Sequence, residues 1–324
     1  MKFATIGHLR VEEDIHQFPK SWIQGDLAVS PELNIHGTRG YITGLLLTAR
    51  QMMELPQNIV RKKILDAAVF VQNSFGVDLI QLGALTTSVT DGGVWVTQQT
   101  EYTGFVNHGD SYTAAVTCQT VMKALTFFHK ESSDEVLAIV GAYGVIGEAV
   151  SKILVPQFKQ SILIGRKEEK LNNLKKSLQG NFSTTVDLNT IRNADIVVTA
   201  TSHPTALLRS EHLKKHVIVV DVSQPPNLSY EVCQQRPDVC RIDGGLVDFP
   251  AQIPIPGMPV GKNFACIVEV IMQAMEDERK NHAGSIDLKH LRKTEKWGEK
   301  YGFTLKELTN FGKTITRTEE KNDN

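Results

Sequence analysis

Residues 136–147 read Val-Leu-Ala-Ile-Val-Gly-Ala-Tyr-Gly-Val-Ile-Gly, and this stretch decides the fold class. Its first five residues predict a buried strand, and Gly141, Gly144 and Gly147 predict a tight turn that opens a helix. Such a turn lets a pyrophosphate approach the backbone, while the helix N-terminus supplies free N–H groups and partial positive charge. The alternative is a strand–helix turn with a purely structural purpose. We favour dinucleotide binding because a strand precedes the glycines and a strand–helix pattern follows them.

The sequence beyond this stretch alternates short apolar runs with helical segments, which is typical of a parallel α/β sheet. The runs are Val136–Val140, Ser161–Ile164, Asp195–Ala200 and Val217–Val220. The preceding half is less regular, with strands predicted at Phe3–Ile6, Tyr41–Leu47 and Asp78–Leu82 and helices at Pro56–Asn73 and Ser111–Phe128. A polar stretch at 126–135 marks the boundary. We predict an α/β substrate-binding domain at 1–130, a Rossmann-like dinucleotide-binding domain at 131–261, and C-terminal helices at 262–324 that pack back on the first domain.

The second strand predicted in this Rossmann-like domain indicates which dinucleotide fits. An NAD site carries an Asp or Glu at this strand end to accept from the ribose hydroxyls, whereas this chain reads Gly165-Arg166-Lys167. A guanidinium suits a 2′-phosphate, so the sequence favours NADPH; the alternative is a solvated basic turn. The predicted cofactor contacts come from the glycine turn, the basic pair and two hydroxyls after residue 200: Gly141, Tyr143, Gly144, Val145, Ile146, Gly147, Arg166, Lys167, Thr201 and Ser202.

Composition and charge argue against several other classes of protein. The chain has 324 residues, enough for about two domains, with 35 basic and 36 acidic side chains. Nucleic-acid binders usually carry a basic excess, which is missing here. No apolar stretch approaches the ~18–20 residues of a membrane-spanning helix. The four cysteines lack zinc-type spacing, so we expect no metal. Without a signal-peptide core, we expect a reduced, cytoplasmic protein.

One cysteine is distinguished by its position after a loop. Residues 250–261 are rich in proline and glycine, and apolar residues beyond them recur at helical spacing. With Asn263 as N-cap, Cys266 becomes the third helical residue, where the helix dipole favours the thiolate and lowers the pKa of cysteine. Core packing is the alternative for Cys266. Glu269, one turn further, is a second candidate catalytic residue, or else pairs with a lysine.

The other polar candidates have simpler interpretations. Cys118 lies on an apolar helix and is expected in the core, whereas Cys233 and Cys240 are expected to be structural. His203 follows an apolar run and is a candidate acid or ligand contact, with a hydrogen-bonded loop histidine as the alternative. The run Arg61-Lys62-Lys63 is a candidate docking patch for an acidic partner, or a solvated helix face.

A set of short motifs extends over nearly the whole chain. They are Ile6-Gly7-His8-Leu9, Ile35-His36-Gly37, Leu82-Gly83, Gly109-Asp110-Ser111-Tyr112-Thr113-Ala114, the Gly141–Gly147 turn, Asp243-Gly244-Gly245-Leu246-Val247, Phe264-Ala265-Cys266 and Tyr301-Gly302-Phe303. By these motifs the chain resembles the long-chain fatty acyl-carrier-protein reductases of cyanobacteria, which make fatty aldehydes with NADPH. Phe-Ala-Cys on a helix after a Gly-Gly strand is the most specific part. Tyr112 stands where we expect a histidine in that family.

The resemblance implies that Cys266 is the nucleophile that accepts the acyl group. It also implies NADPH as the cofactor and an acyl carrier protein or CoA thioester as the carrier of the substrate. The expected reaction is a two-step reduction of a fatty acyl thioester through a cysteinyl acyl-enzyme. Two alternatives remain open: an NADP-dependent oxidoreductase of a small hydroxy or amino acid, similar to shikimate dehydrogenases, and a nucleotide-sensing protein without catalysis.

Overall fold

The computed structural model describes residues 1–250 and 258–316. Most of the loop predicted at 250–261, and the polar C-terminal tail, lie outside the described residues. Within them, every helix is too short or too polar to cross a membrane.

The first part of the chain forms a seven-stranded mixed sheet. Its strands are β1 (Phe3–Leu9), β2 (Ile23–Gln24), β3 (Leu27–Val29), β4 (Leu33–Ile35), β5 (Thr38–Thr48), β6 (Leu79–Leu82) and β7 (Phe105–Asn107). Their order is β2-β3-β5-β1-β6-β7, with β4 also paired to β5. Strands β5, β1, β6 and β7 run parallel, whereas β3 and β4 pair with β5 in the antiparallel sense. The parallel strands end at the same edge, where ligand-binding loops gather.

Helices flank this sheet and connect it to the next one. They are α1 (Ala49–Glu54), α2 (Gln57–Phe75), α3 (Leu85–Val89), α4 (Val94–Thr97) and α5 (Asp110–Phe127). Helix α2 buries Val60, Ile64, Ala67 and Val71, a stripe at helical spacing. It ends at Gly76, which adopts the left-handed conformation that glycine tolerates best.

The second part forms a six-stranded parallel sheet. Its elements are β8 (Val136–Val140), α6 (Val145–Leu154), β9 (Gln160–Ile164), α7 (Glu168–Lys175), β10 (Phe182–Thr185), β11 (Ile196–Thr199), β12 (Ile218–Asp221), α8 (Tyr230–Gln235) and β13 (Cys240–Asp243). The order β10-β9-β8-β11-β12-β13 is the doubly wound arrangement 3-2-1-4-5-6. The predicted fold class, α/β with a Rossmann-like domain, is therefore confirmed.

The C-terminal part returns to the first sheet. It contains β14 (Leu246–Asp248), β15 (Lys262–Phe264), α9 (Ala265–Met275), α10 (Leu288–Tyr301), β16 (Thr309–Asn310) and β17 (Lys313–Thr314). Helix α9 packs against β1, β5, β6 and α5, and α10 packs against α5 and α9. Six short 3-10 helices complete the description, at Glu12–Gln17, Lys20–Trp22, Ser132–Asp134, Val155–Gln157, Leu188–Asn193 and Ser210–His212.

The predicted N-cap of the cysteine helix is wrong by one residue. Asn263 is buried in β15 and pairs with Val247 of β14. Because this antiparallel pairing continues through Phe264, Phe264 becomes the N-cap and the helix begins at Ala265. Cys266 is therefore the second helical residue instead of the third.

Candidate active site

The glycine turn after β8 has the close backbone packing that a pyrophosphate cradle requires. Gly141 has a positive φ of 86°, and a Cβ there would collide with the carbonyl oxygen of Ala200. A Cβ on Gly147 would collide with the carbonyl oxygen of Gly141. Gly144 is the N-cap of α6, whose first N–H groups have no acceptor within the helix. The turn therefore fits an anionic dinucleotide phosphate.

A cavity of about 310 Å³ lies between the two sheets and joins this turn to the cysteine helix. The second domain lines it with Gly144, Val145, Ile146, Thr201 and Ser202. The first domain and the C-terminal part contribute, among others, His8, Gln81, Ser88, Asp110, Thr113 and Cys266. Across the cavity the hydroxyls of Ser88 and Ser202 lie 2.5 Å apart. Five of the ten predicted cofactor contacts thus share one space with the candidate nucleophile.

The remaining predicted contacts do not line this cavity. Gly141 and Gly147 belong to the glycine turn itself. Arg166 and Lys167 follow β9 and are exposed. The Lys167 N–H donates to the phenol oxygen of Tyr143 at 3.1 Å, and the Tyr143 ring packs on Gly165. The tyrosine thereby connects the glycine turn to the basic pair.

Cys266 lies on the cavity wall at the start of α9. It packs tightly against Gly109, where a Cβ would lie 2.5 Å from that of Cys266. Burial and the nearby carboxyl groups of Asp110 and Glu269 raise the pKa of Cys266 to about 12, although the Ile267 N–H acts in the opposite direction. The predicted lowering of the pKa is therefore wrong, since desolvation outweighs the helix terminus. Burial also raises the pKa of Asp110 well above its usual range, with Glu269 adding to the effect.

Glu269 lies away from the cavity and belongs to a buried polar network. It has no exposed surface, and its carboxylate accepts from the Tyr112 N–H at 2.7 Å and from Asn107 Nδ2 at 3.2 Å. His290 Nε2 lies 3.1 Å from the same carboxylate. Burial alone would raise the pKa of Glu269, but the hydrogen bond and charge of His290 hold it below its usual range. These contacts fix α9 to α5 and β7, which suits a positioning role.

A histidine cluster continues this network. One potential ligand atom from each of Glu278, His282 and His290 lies within 4.8 Å of the others, which makes the cluster a metal candidate among the described residues. The rings of His282 and His290 are stacked at 3.4 Å, with planes 9° apart. Since the nitrogen lone pairs lie in the ring planes, one ion could not bind both rings unless one turned. We assign the cluster to packing beneath α9.

His108 makes the stability of the site dependent on pH. It is buried, its Nδ1 accepts from the Asp110 N–H at 2.9 Å, and burial lowers its pKa to about 4. Between pH 6.5 and 4, His108 binds a proton in the unfolded chain but stays neutral in the folded protein. The free energy of unfolding therefore decreases as the pH falls through this range. The cost reaches about 3 kcal/mol at pH 4.

We expect His108→Asn to lower the slope of the unfolding free energy against pH, because unfolding of this variant takes up about one proton fewer than unfolding of the wild type. The asparagine oxygen can still accept from the Asp110 N–H but does not titrate. Urea unfolding at half-unit steps from pH 7 to 4 measures this slope. His36→Asn, at an exposed histidine, is the control and should keep the wild-type slope. An unaltered slope in His108→Asn would contradict the assignment.

Several residues of the site were missed by sequence reasoning. Gln81 was detectable as a polar residue inside an otherwise apolar strand. The position of Asp110 at the start of a helix after Gly109 could be read from the sequence. Its proximity to Cys266 could not, because the two residues are far apart in the chain. His8 and Thr113 lie in motifs that carry the family resemblance, but the sequence alone indicated no role for either side chain.

The other sequence candidates lie outside the cavity. Tyr112 is buried, and its hydroxyl donates to the carbonyl of Phe303. The Nδ1 of His203 hydrogen-bonds within its own loop, 2.8 Å from the carbonyl oxygen of Thr205. Cys118 is buried as expected, and burial raises its pKa to about 12.

The second part of the chain is similar to the nucleotide-binding domain of a family of NAD(P)-dependent oxidoreductases. Residues 123–244 match the profile of the shikimate / quinate 5-dehydrogenase family, and this segment contains the glycine turn and the strands around it. The match covers less than half of the chain.

Two curated relatives match more of the chain at low identity. The chain is 23% identical over 290 residues to the aminotransferase PigE of a Serratia species, covering 86% of this chain and about a third (34%) of that protein. It is 26% identical over 261 residues to the long-chain acyl-(acyl-carrier-protein) reductase of Synechococcus elongatus, covering 75% of each. Among solved structures, L-tryptophan dehydrogenase of Nostoc punctiforme aligns with 94% of this chain and 80% of its own, at 13% identity and a TM-score of 0.44.

Proposed function

We propose that this protein reduces a fatty acyl thioester to a fatty aldehyde with NADPH, through an acyl group held on Cys266. One observation supports this most directly: Cys266 and the start of α6 line the same cavity. An acyl group on the cysteine and a nicotinamide extending from the turn would meet there. The similarity to the Synechococcus reductase supports the same reaction. Formation of an acyl adduct on Cys266 in the absence of NADPH tests the proposal.

The first step transfers the acyl group to the protein. The Cys266 sulfur forms a bond to the thioester carbonyl carbon, and the bond from that carbon to the carrier sulfur breaks. The proton of the Cys266 thiol leaves with the carrier, which departs as a free thiol. Because the thiol pKa is raised, this proton must move during the attack. The Asp110 carboxyl, whose pKa burial raises well above its usual range, lines the cavity together with Cys266 and is placed to exchange protons at this point.

In the second step the carbon–sulfur bond of the acyl-enzyme breaks, the Cys266 sulfur takes up a proton to restore the thiol, and the aldehyde is released. NADPH, when bound, supplies the hydride for this reduction. The chain would hold the pyrophosphate on Gly141–Gly147 and the 2′-phosphate on Arg166 and Lys167, with Thr201 and Ser202 facing the same cavity. Glu269 keeps α9 in place through Asn107, Tyr112 and His290. The network thus positions the cysteine without touching the substrate.

The carrier is either an acyl carrier protein or CoA in this proposal. Each cation of the run Arg61-Lys62-Lys63 already pairs with a carboxylate, respectively Asp91, Asp66 and Asp26. An acidic carrier protein docking there would compete with these pairs. The run is therefore a weaker docking candidate in the structure than in the sequence.

A second function remains a candidate, namely oxidoreduction of a small hydroxy or amino acid. The raised pKa of Cys266 favours it, because a neutral thiol is a poor nucleophile. The family profile over residues 123–244 also agrees with it. An absent acyl adduct, together with turnover of a small alcohol, would support this function instead.

We expect Arg166→Ala to weaken NADPH binding about 10- to 100-fold and to leave NADH binding unchanged. The reason is the loss of a charge-assisted phosphate contact, worth roughly 1.5–3 kcal/mol. Fluorescence titration with both cofactors measures the ratio. Lys175→Ala, which removes another exposed cation from the following helix, is the control and should keep the wild-type ratio. An equal loss of affinity for NADPH and NADH would show that Arg166 does not bind the 2′-phosphate.

A further inference from the structure

Gln81 carries a buried amide that the protein itself does not satisfy. It lies in β6, has 1% of its surface exposed and lines the cavity that contains Cys266. Its Nε2 has no hydrogen-bond partner among the described residues. Buried side-chain amides in native proteins are almost always paired, and an unpaired one calls for a ligand or a catalytic role.

The position of Gln81 in the sheet shows what it faces. In the register of the parallel strands, Gln81 stands between Thr5 of β1 and Asn107 of β7, so the three side chains form one row on one face. Thr5 Oγ1 accepts from the Thr43 N–H, and Asn107 binds Glu269 and Gln273 of α9. Both neighbours of Gln81 are therefore engaged by the protein.

This row leads to the candidate nucleophile. The Asn107 amide reaches Glu269, which lies three residues after Cys266 and hence on the same side of α9. Gln81 is one strand further in, and both Gln81 and Cys266 face the cavity. The shared cavity is therefore the space in which an acyl carbonyl attached to Cys266 could meet the Gln81 side chain.

We propose that the Gln81 amide donates a hydrogen bond to the carbonyl oxygen of the acyl group bound at Cys266. This inference rests on the proposed acyl transfer. When the cysteine sulfur adds to the carbonyl carbon, the carbonyl electron pair moves onto oxygen, and the amide N–H stabilises the resulting oxyanion. The same contact persists until the electron pair returns to the carbonyl, the bond to the carrier sulfur breaks and the carrier leaves as a thiol. Gln81 belongs to the first sheet, whereas the nucleotide turn belongs to the second, which favours the acyl group over the nicotinamide as its partner.

The test variant is Gln81→Met, which keeps the length of the side chain and removes the donor. We expect palmitoyl-CoA to acylate Cys266 about 100- to 1,000-fold more slowly in this variant than in the wild type. The rate is measured without NADPH, by following the acyl adduct over time by intact mass. The NADPH dissociation constant and the rate of Cys266 alkylation by iodoacetamide should stay within about twofold. Gln157→Met, at an exposed glutamine, is the matched control and should acylate at the wild-type rate.

Thermal stability separates this role from a structural one. Replacing an unpartnered buried amide by an apolar side chain of similar size should leave the melting temperature unchanged or raise it. A lower melting temperature would mean that Gln81 supports the fold, and would overturn the inference if acylation fell only in proportion to the folded fraction.

The remaining outcomes are equally decisive. Acylation of Gln81→Met at the wild-type rate would show that the amide holds at most a water molecule. Lost NADPH affinity with normal acylation would assign the amide to the nicotinamide instead. A wild-type protein that forms no adduct would overturn the proposed function and this inference together, whereas an adduct that forms at the same rate in both proteins would overturn only the role of Gln81.

Discussion

Cys266→Ser is expected to abolish the acyl adduct and to lower aldehyde formation at least about 1,000-fold. A serine hydroxyl is a far weaker nucleophile toward a thioester, and no other cysteine lines the cavity among the described residues. The experiment incubates the protein with palmitoyl-CoA without NADPH and measures intact mass. The wild type should gain one acyl mass on Cys266 and lose it as aldehyde when NADPH is added.

Two controls separate chemistry from folding. Cys118→Ser changes a cysteine of similarly raised pKa that lies in the core instead of the cavity, and it should keep the adduct. Cys266→Ser should bind NADPH like the wild type, because the glycine turn is untouched. An adduct on Cys118, or full activity in Cys266→Ser, would return Cys266 to core packing and favour a dehydrogenase of small substrates.

Gly147→Ala is expected to weaken NADPH binding at least about 100-fold and to destabilise the nucleotide domain by about 1–3 kcal/mol. The added Cβ would overlap the carbonyl oxygen of Gly141, which is backbone and cannot turn away like a flexible side chain. The turn would have to open, and the N–H groups at the start of α6 would lose their alignment. NADPH titration and urea unfolding measure the two effects.

Gly44→Ala is the matched control for this prediction. Gly44 lines the same cavity from β5, and a Cβ there would meet no atom within 4 Å. The Gly44→Ala variant should keep a stability and an NADPH affinity close to those of the wild type. If Gly147→Ala binds NADPH with wild-type affinity, the turn is structural and the dinucleotide lies elsewhere.

Local sequence predicted the centre of each sheet better than its edges. Strand β8 was predicted with its exact bounds, because a central parallel strand is buried on both faces and reads as a continuous apolar run. Strand β10 was missed, since this edge strand has no fully buried residue and has the polar sequence Phe-Ser-Thr-Thr. Strand β13 was missed because Arg241 interrupts its apolar pattern. In the structure Arg241 is fully buried between Asp221 and Asp243.

The site shows a similar division between local and distant causes. The glycine turn could be predicted because its steric requirements lie within a few residues of one another. The ionisation of Cys266 could not, because burial and the carboxyl of Asp110, supplied from another helix, outweigh the local helix terminus. The start of α9 was misplaced for the same reason, since the pairing of Asn263 with Val247 decides it.

Helix α5 connects the two halves in a way that affects how the protein unfolds. Most of its residues are buried, and it packs at once against α6 of the nucleotide domain and against α9 and α10. One continuous apolar core includes Phe3 and Leu79 of the first sheet, α5, and Ile139 and Val198 of the second. The boundary near residue 130 therefore divides the topology but not the cooperative unit. A nucleotide domain cut free at this point would expose the face of α6 that α5 covers, so each half depends on the other for its stability.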